Sequence, residues 1–186
     1  MFQFLSIFTV VACMTFIVSK LYRNRSQSAI RRVVWSMFLI YMIGNLYCTT
    51  FSRVPNSGRM IDLRPFKTYF ELFKEPPKGG GEVTGLFAWF MKDASSIVGL
   101  ILNILLYYPL GYLLPILFPK IKPKHVILIG CLCSIATEAT QYLLKMGWCE
   151  TDDVIHNTLG TAIGVWVWHL QSKRLNKPQT NELPKD

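Results

Sequence analysis

Glu138 is an acidic residue inside a long apolar stretch of the sequence, and the presence of a carboxylate there needs an explanation. An ionisable side chain at membrane depth costs about 2.5–3.5 kcal/mol on insertion scales, so it needs a partner. Gln141 and Lys145 follow at spacings of three and four residues, which places all three on one stripe of a helix. Lys145 can reach the membrane interface with its flexible chain. Glu138 is therefore the member that must find its partner inside the protein.

Two further polar stripes occur at helical spacing in other apolar stretches. Asp153 and Asn157 share one helix face, and Asn103 and Tyr107 share another. Small residues accompany both faces and predict close helix packing, and a proline predicts a kink. These structural candidates are Gly99, Pro109, Gly111, Gly160 and Gly164.

These polar side chains have two interpretations. In the first, they satisfy one another as hydrogen bonds between helices, at about 0.6–2 kcal/mol each. In the second, which we favour, the excess of acids and acceptors forms a site for a cationic, polar or proton-bearing ligand. The candidate substrate-binding residues are Asn103, Glu138, Gln141, Asp152, Asp153 and Asn157, joined by Arg64 and Lys67 from a connecting segment.

Simpler roles exist for some of these positions. Asp152 or Asp153 can act as the N-cap of the last helix, where the helix dipole favours an acid. His156, next to the stripe, can serve as an aromatic side chain at the membrane interface.

The elements that would position these residues are apolar helices. Hydrophobic residues make up 51% of the 186 residues. A hydrocarbon core about 30 Å thick needs about 20 apolar residues in helical form. Five blocks approach that length, which predicts an all-α transmembrane bundle of about five spans. The blocks are Phe2–Ser19, Val33–Phe51, Ser96–Phe118, Val126–Met146 and Val154–Leu170.

The charges alternate between successive connections, which predicts the topology. Basic residues follow the first, third and fifth blocks, whereas Glu150, Asp152 and Asp153 lie between the fourth and fifth. Cytoplasmic loops are enriched in Lys and Arg, so we expect the N-terminus outside and the C-terminus inside. This placement explains the net charge of +9 without nucleic-acid binding, which we do not expect. The basic residues are Lys20, Arg23, Arg25, Arg31, Arg32, Lys120, Lys122, Lys124, His125, Lys173, Arg174 and Lys177.

The connection between the second and third blocks, residues 52–95, is longer than a simple loop needs. It is either an amphipathic segment resting on the membrane surface or a lid or re-entrant element. In the second case it would bring Arg64 and Lys67 over the polar site.

The cysteines indicate neither a disulfide framework nor a zinc site. The five form no CxxC pair, and four lie inside predicted spans. We expect no metal and no cofactor. Residues 1–171 are predicted to form the transmembrane domain, and residues 172–186 a polar cytoplasmic tail.

Several motifs in order resemble the VanZ-like family of bacterial membrane proteins. They are Asn103–Pro115, Glu138–Gln141, Asp152–Gly164 and the stretch from Asp62 to Lys67, within residues 60–168. The family pattern has an Arg before the acidic turn, where this chain has Met146 to Cys149, and an Asn where Asp62 stands. If that Arg interacts with the acids in the family, Lys145 or Arg64 would have to take over this role in the present chain.

The resemblance implies a plasma-membrane protein associated with low-level resistance to teicoplanin and related lipoglycopeptides. Our leading hypothesis is that an outer polar pocket binds a lipid-linked cell-wall component, with the lipid bilayer as the other partner. The alternative is an intramembrane enzyme or proton-coupled transporter with Glu138 as base or proton carrier. A structural helper of another membrane complex is the third possibility. We expect the last three spans to form the core, with the first two packed on its side.

Overall fold

The chain folds into a bundle of helices with one short pair of strands. The computed structural model describes residues 2–24, 26–51, 60–72 and 82–175. Its elements are α1 (Phe2–Asn24), α2 (Gln27–Leu46), β1 (Met60–Asp62), α3 (Lys67–Leu72), α4 (Glu82–Leu117), α5 (Pro123–Leu144), β2 (Trp148–Glu150) and α6 (Thr151–Leu175). A π-helical segment, Tyr47–Phe51, continues α2. The predicted all-α bundle is confirmed.

Within the described ranges, three segments are long and apolar enough to cross a membrane: Ser28–Thr50, Ile97–Leu117 and Pro123–Leu144. Ile7–Tyr22 is a shorter apolar helix. The last predicted span lies in α6, which buries polar side chains against the other helices and is therefore less apolar. The number of five spans and the orientation of the termini stay predictions.

The helices extend beyond the apolar blocks. α4 begins at Glu82 rather than at Ser96, so part of the expected connection is helical. α6 continues to Leu175, past the predicted start of the tail. Hydropathy marks only the part of a helix that suits hydrocarbon, whereas backbone hydrogen bonding continues into polar residues. The rest of the tail, residues 176–186 with Lys177, and Arg25 lie outside the described residues.

The closest helix packing is between α4 and α6. A Cβ added at Gly160 would meet the backbone of Ile104, and one at Gly164 would meet that of Tyr108. Gly111 in turn faces the backbone of Thr161. These glycines let the two backbones approach each other, as small residues do in membrane helices. α6 accordingly has its most extensive contacts with α4 and then with α5.

Gly99 does not share this packing. Outside its own helix, no atom of the described residues lies within 4 Å of a Cβ placed there. The close approach of the α4 and α6 backbones is therefore seen at Ile104 and beyond, one turn and more after Gly99.

The first two helices pack on α4 through an apolar cluster. Val18, Ile30 and Val34 are buried there against Tyr112 and other α4 side chains. The Tyr108 hydroxyl lies 3.2 Å from the Thr15 hydroxyl of α1. A second apolar cluster, Tyr107, Leu110, Leu114, Val126 and Val165, joins α4, α5 and α6.

Candidate functional site

The connecting segment lies on the turn between α5 and α6. β1 pairs in parallel with β2, with Ile61 opposite Cys149 and Asp62 opposite Glu150. This pairing joins residues far apart in the sequence and holds residues 60–72 at the end of the bundle. Of the two interpretations of this connection, the contacts favour the one in which it covers the polar helix ends.

Arg64 and Lys67 both bind Asp62. The Arg64 Nη2 lies 2.6 Å from Asp62 Oδ2, and Lys67 Nζ lies 2.8 Å from the same oxygen. The hydrogen bonds from Arg64 and then Lys67 hold the pKa of the Asp62 carboxyl well below its usual range. Lys67 also lies 5.4 Å from the centre of the Trp148 ring. The two basic residues therefore form an ion-pair cluster with Asp62.

Asp152 binds the turn that contains Phe66. The backbone N–H of Phe66 donates to Asp152 Oδ1. Phe66 adopts φ of 62°, in the left-handed region that a bulky side chain rarely occupies. Asp152 is buried in the first turn of α6 and accepts a hydrogen bond from another segment of the chain.

His156 holds the same segment one turn further along α6. Its Nε2 lies 2.9 Å from the Tyr69 hydroxyl, and the two rings are in tilted contact. The side chain is only 2% exposed. His156 is therefore buried between α6 and the segment 60–72.

Glu138 finds its partner in β2. Its Oε2 accepts a hydrogen bond of 2.9 Å from the backbone N–H of Glu150, and the side chain is 3% exposed. The predicted inward face of α5 holds, since Gln141 is buried beside Glu138 while Lys145 is exposed. The C-terminal cap of α5 is Lys145, which adopts the left-handed conformation with φ of 58°. The Met146 N–H then donates a hydrogen bond to the Gln141 carbonyl.

The two carboxamides bind other partners. Asn103 donates to Asp153 Oδ1 over 2.6 Å and links α4 to α6. Asn157 donates to the Ser134 hydroxyl over 2.8 Å and links α6 to α5. Polar bonds do connect the last three helices, as the packing interpretation expects.

Gln141 links α5 to the end of α2. Its Nε2 donates to the Thr49 carbonyl over 2.9 Å. Carbonyls in the last turn of a helix have no partner further along that helix, so a side chain from a neighbour can satisfy them. The same end of the bundle thus includes α2 as well as α4, α5 and α6.

Three buried polar atoms of this region have no hydrogen-bond partner among the residues that the structure describes: Gln141 Oε1, His156 Nδ1 and Asn157 Oδ1. The side chains that carry them are at most 4% exposed. Buried polar groups are nearly always paired with protein or water, so unpaired ones need an explanation. The two amide oxygens can accept hydrogen bonds from a ligand, and so can His156 Nδ1 in the tautomer that carries its proton on Nε2.

No group of three His, Cys, Asp or Glu side chains within the described ranges is arranged to hold a metal ion. Cys149 lies beside this acidic cluster, and burial followed by the charge of Glu138 raises the pKa of its thiol. A thiol in these surroundings has little thiolate character and is a poor nucleophile.

Sequence reasoning missed four contributors to the site: Thr49, Tyr69, Ser134 and Glu150. Ser134 stands four residues before Glu138 and is fully buried, so the stripe of α5 extends one turn further than predicted. That spacing was a usable signal. Tyr69 and Thr49 reach the site from distant parts of the chain, and no local pattern marks them.

The family model described as VanZ/LLP1 matches residues 4–172. Protein VanZ of Enterococcus faecium is 28% identical over 83 residues, which are 44% of this chain and 50% of that protein. The chain thus spans half the length of that curated relative. No solved structure matches.

Proposed function

Because the chain belongs to the VanZ/LLP1 family, we propose that it lowers susceptibility to teicoplanin-type lipoglycopeptides by binding a lipid-linked envelope component. The family and the apolar helices indicate a membrane protein. The match to the relative named Protein VanZ covers half of that protein's length, so an activity of the whole protein is part of this proposal and not a finding.

The unpaired buried atoms carry this proposal. Helix packing alone would favour a network in which every buried polar group has a partner, since an unpaired one costs about 1–3 kcal/mol. Gln141 Oε1, His156 Nδ1 and Asn157 Oδ1 lack one. A ligand rich in hydroxyl and amide groups, such as the sugar and peptide portion of a cell-wall precursor, offers the donors that these atoms need.

The predicted orientation supports the same conclusion. With the N-terminus outside, the end of α2, the turn between α5 and α6 and the segment 60–72 all face the cell exterior. Lipoglycopeptides and wall precursors meet at that face of the membrane. A pocket there can change what the outer leaflet presents without moving anything across the membrane.

The test is susceptibility in the source organism and in a susceptible bacterial host. Deletion of the gene should lower the minimum inhibitory concentration of teicoplanin, and expression from a plasmid should restore it. Gly99→Ala, outside the polar cluster, is the matched control and should restore it equally. Unchanged susceptibility after deletion, with the protein shown to be present in the parent strain, would count decisively against the proposal.

The second candidate is an intramembrane enzyme or proton-coupled transporter that acts on a lipid-linked substrate. Burial of Glu138, whose side chain is 3% exposed, favours it, since a carboxyl group in such surroundings can carry a proton. In this candidate Glu138 is the base or proton carrier, and Asp152, Asp153 and Asn157 bind the substrate.

A further inference from the structure

A long apolar groove lies between α1, α2 and α4. Its volume is about 490 Å³. Val10 and Ile17 of α1 form one wall, Ile40 and Gly44 of α2 the other, and Leu105 and Pro109 of α4 the floor. The cluster of polar side chains described above does not include these residues.

The groove opens toward the lipid. Val10, Ile17 and Ile40 on its rim are 66%, 42% and 71% exposed. The wall from α2 belongs to the segment Ser28–Thr50, which is apolar enough to cross a membrane. The groove is thus continuous with the surface that this helix presents to the hydrocarbon, and lipid chains are the material in contact with it.

The length of the groove matches the thickness of one leaflet of the bilayer. Along α2 the lining extends from Met37 to Cys48, and along α1 from Ile7 to Ile17. At 1.5 Å per residue these distances are about 15–16 Å, roughly half of a hydrocarbon core of about 30 Å. A chain that belongs to one leaflet fits, whereas a second transmembrane helix would cross the full core.

The groove ends beside the polar pocket. Asn45, at its end, donates to the Tyr41 hydroxyl over 2.8 Å. One turn further along, the Thr49 hydroxyl donates to the Asn45 carbonyl, and the Thr49 carbonyl accepts from Gln141. Gln141 also carries one of the unpaired buried atoms. The apolar groove and the polar pocket therefore adjoin through α2 and α5.

We propose that this groove binds one acyl chain of a lipid from the leaflet at the α5–α6 end, with the lipid's polar portion toward Asn45 and Gln141. The inference rests on the proposed function in one respect: the lipid is taken to be the anchor of the component that the polar pocket binds.

Gly44 gives a direct test because, in the part of the chain that the structure describes, nothing outside its own helix lies within 4 Å of a Cβ placed there. In Gly44→Trp the Cβ meets open space and the position lines the groove, so the indole is placed to fill it. Gly99→Trp is the matched control, since Gly99 has the same open surroundings and does not line the groove. Cys13→Phe fills the groove from the α1 wall and serves if Gly44→Trp does not fold.

The full chain would be reconstituted in phosphatidylglycerol vesicles that contain a small fraction of phosphatidylglycerol with a photoreactive diazirine in its acyl chain. After illumination, crosslinked peptides are mapped by mass spectrometry. Crosslinks should concentrate on residues 7–17 and 37–48, and fall about tenfold in Gly44→Trp, as expected when a side chain displaces about two methylenes. Crosslinks to exposed Trp166 should not change.

Equal groove crosslinking in the folded Gly44→Trp or Cys13→Phe protein and in Gly99→Trp would overturn the inference. Dimers formed by protein crosslinking through α1 and α2 would also overturn it, because a second copy would then cover the groove. The crosslinking measurement involves no antibiotic, so its result is independent of the susceptibility test. A deletion without effect on susceptibility, beside a positive crosslinking result, would reject the proposed function and leave the acyl-chain site in place.

Discussion

Glu138 is the residue at which a ligand pocket and a packing contact lead to different outcomes. In Glu138→Gln the amide oxygen can still accept the hydrogen bond from the Glu150 backbone. If the pocket needs the carboxylate, this variant should accumulate in the membrane like the parent while teicoplanin resistance falls sharply. Membrane abundance and inhibitory concentration would be measured together.

Glu138→Leu completes the comparison. It leaves the Glu150 N–H without its side-chain acceptor, at about 1–3 kcal/mol, so the amount of folded protein should fall as well. If Glu138→Gln were fully active while Glu138→Leu was merely scarce, the carboxylate would be a packing group and the pocket hypothesis would fail in this form.

Phe66 carries backbone strain at the edge of the site. An L-residue in the left-handed region costs about 1–2 kcal/mol, and glycine removes that cost while losing about 0.5–1 kcal/mol to the entropy of the unfolded chain. Phe66→Gly should therefore keep or slightly raise the free energy of unfolding, as measured by thermal unfolding in detergent. Leu63→Gly, at a position that is also exposed (70% against 50% for Phe66) but has no positive φ, should lower it.

Such strain is maintained only where surrounding contacts impose it, here the bond from Phe66 N–H to Asp152 and the contact of Phe66 with Tyr69. If Phe66→Gly destabilised the protein more than Leu63→Gly, the aromatic ring rather than the backbone would be the contribution of this residue.

At the scale of elements, the contact between α4 and α6 can be tested by a pair of glycines. In Gly160→Ala the added methyl would overlap the Ile104 backbone, which cannot move away as a flexible side chain could. Overpacking of this kind costs about 1–3 kcal/mol or more. In Gly99→Ala the methyl meets open space, and alanine in a helix gains about 0.5–1 kcal/mol over glycine. The midpoints of thermal unfolding should therefore move in opposite directions, and a tolerated Gly160→Ala would contradict the close approach of these helices.

Helical periodicity was sufficient to predict the bundle and the inward faces of α5 and α6, because spacing alone decides which residues share a face. It could not predict the pairing of β1 with β2 or the contact of Tyr69 with His156, since both join residues more than 80 positions apart. It also misplaced the start of α4, because Lys92 and Asp93 end the apolar block without ending the helix. Asn103 does bind an acid, Asp153, whereas Asn157 binds Ser134, because spacing does not say which neighbour each amide binds.

The whole molecule has two chemically different ends. Tyr22, Pro119, Pro123 and His169 line one cavity, so the C-terminal ends of α1, α4 and α6 meet the start of α5. The exposed basic residues Lys120, Lys122, Lys124, Lys173 and Arg174 lie at this end. The buried acids and amides lie at the other. A membrane protein with such an asymmetry is expected to insert with the basic end in the cytoplasm.

Orientation can be tested with two exposed lysines at opposite ends of α5. Lys124 stands at its beginning and Lys145 at its end. In a chain whose five cysteines are replaced by serine or alanine, Lys145→Cys should react with a membrane-impermeant maleimide on intact cells. Lys124→Cys should react only after the cells are permeabilised, because the basic end faces the cytoplasm. The reverse pattern would place the polar pocket on the cytoplasmic side, where an external antibiotic does not reach it, and the proposed mode of resistance would have to be abandoned even if the pocket binds a lipid-linked molecule.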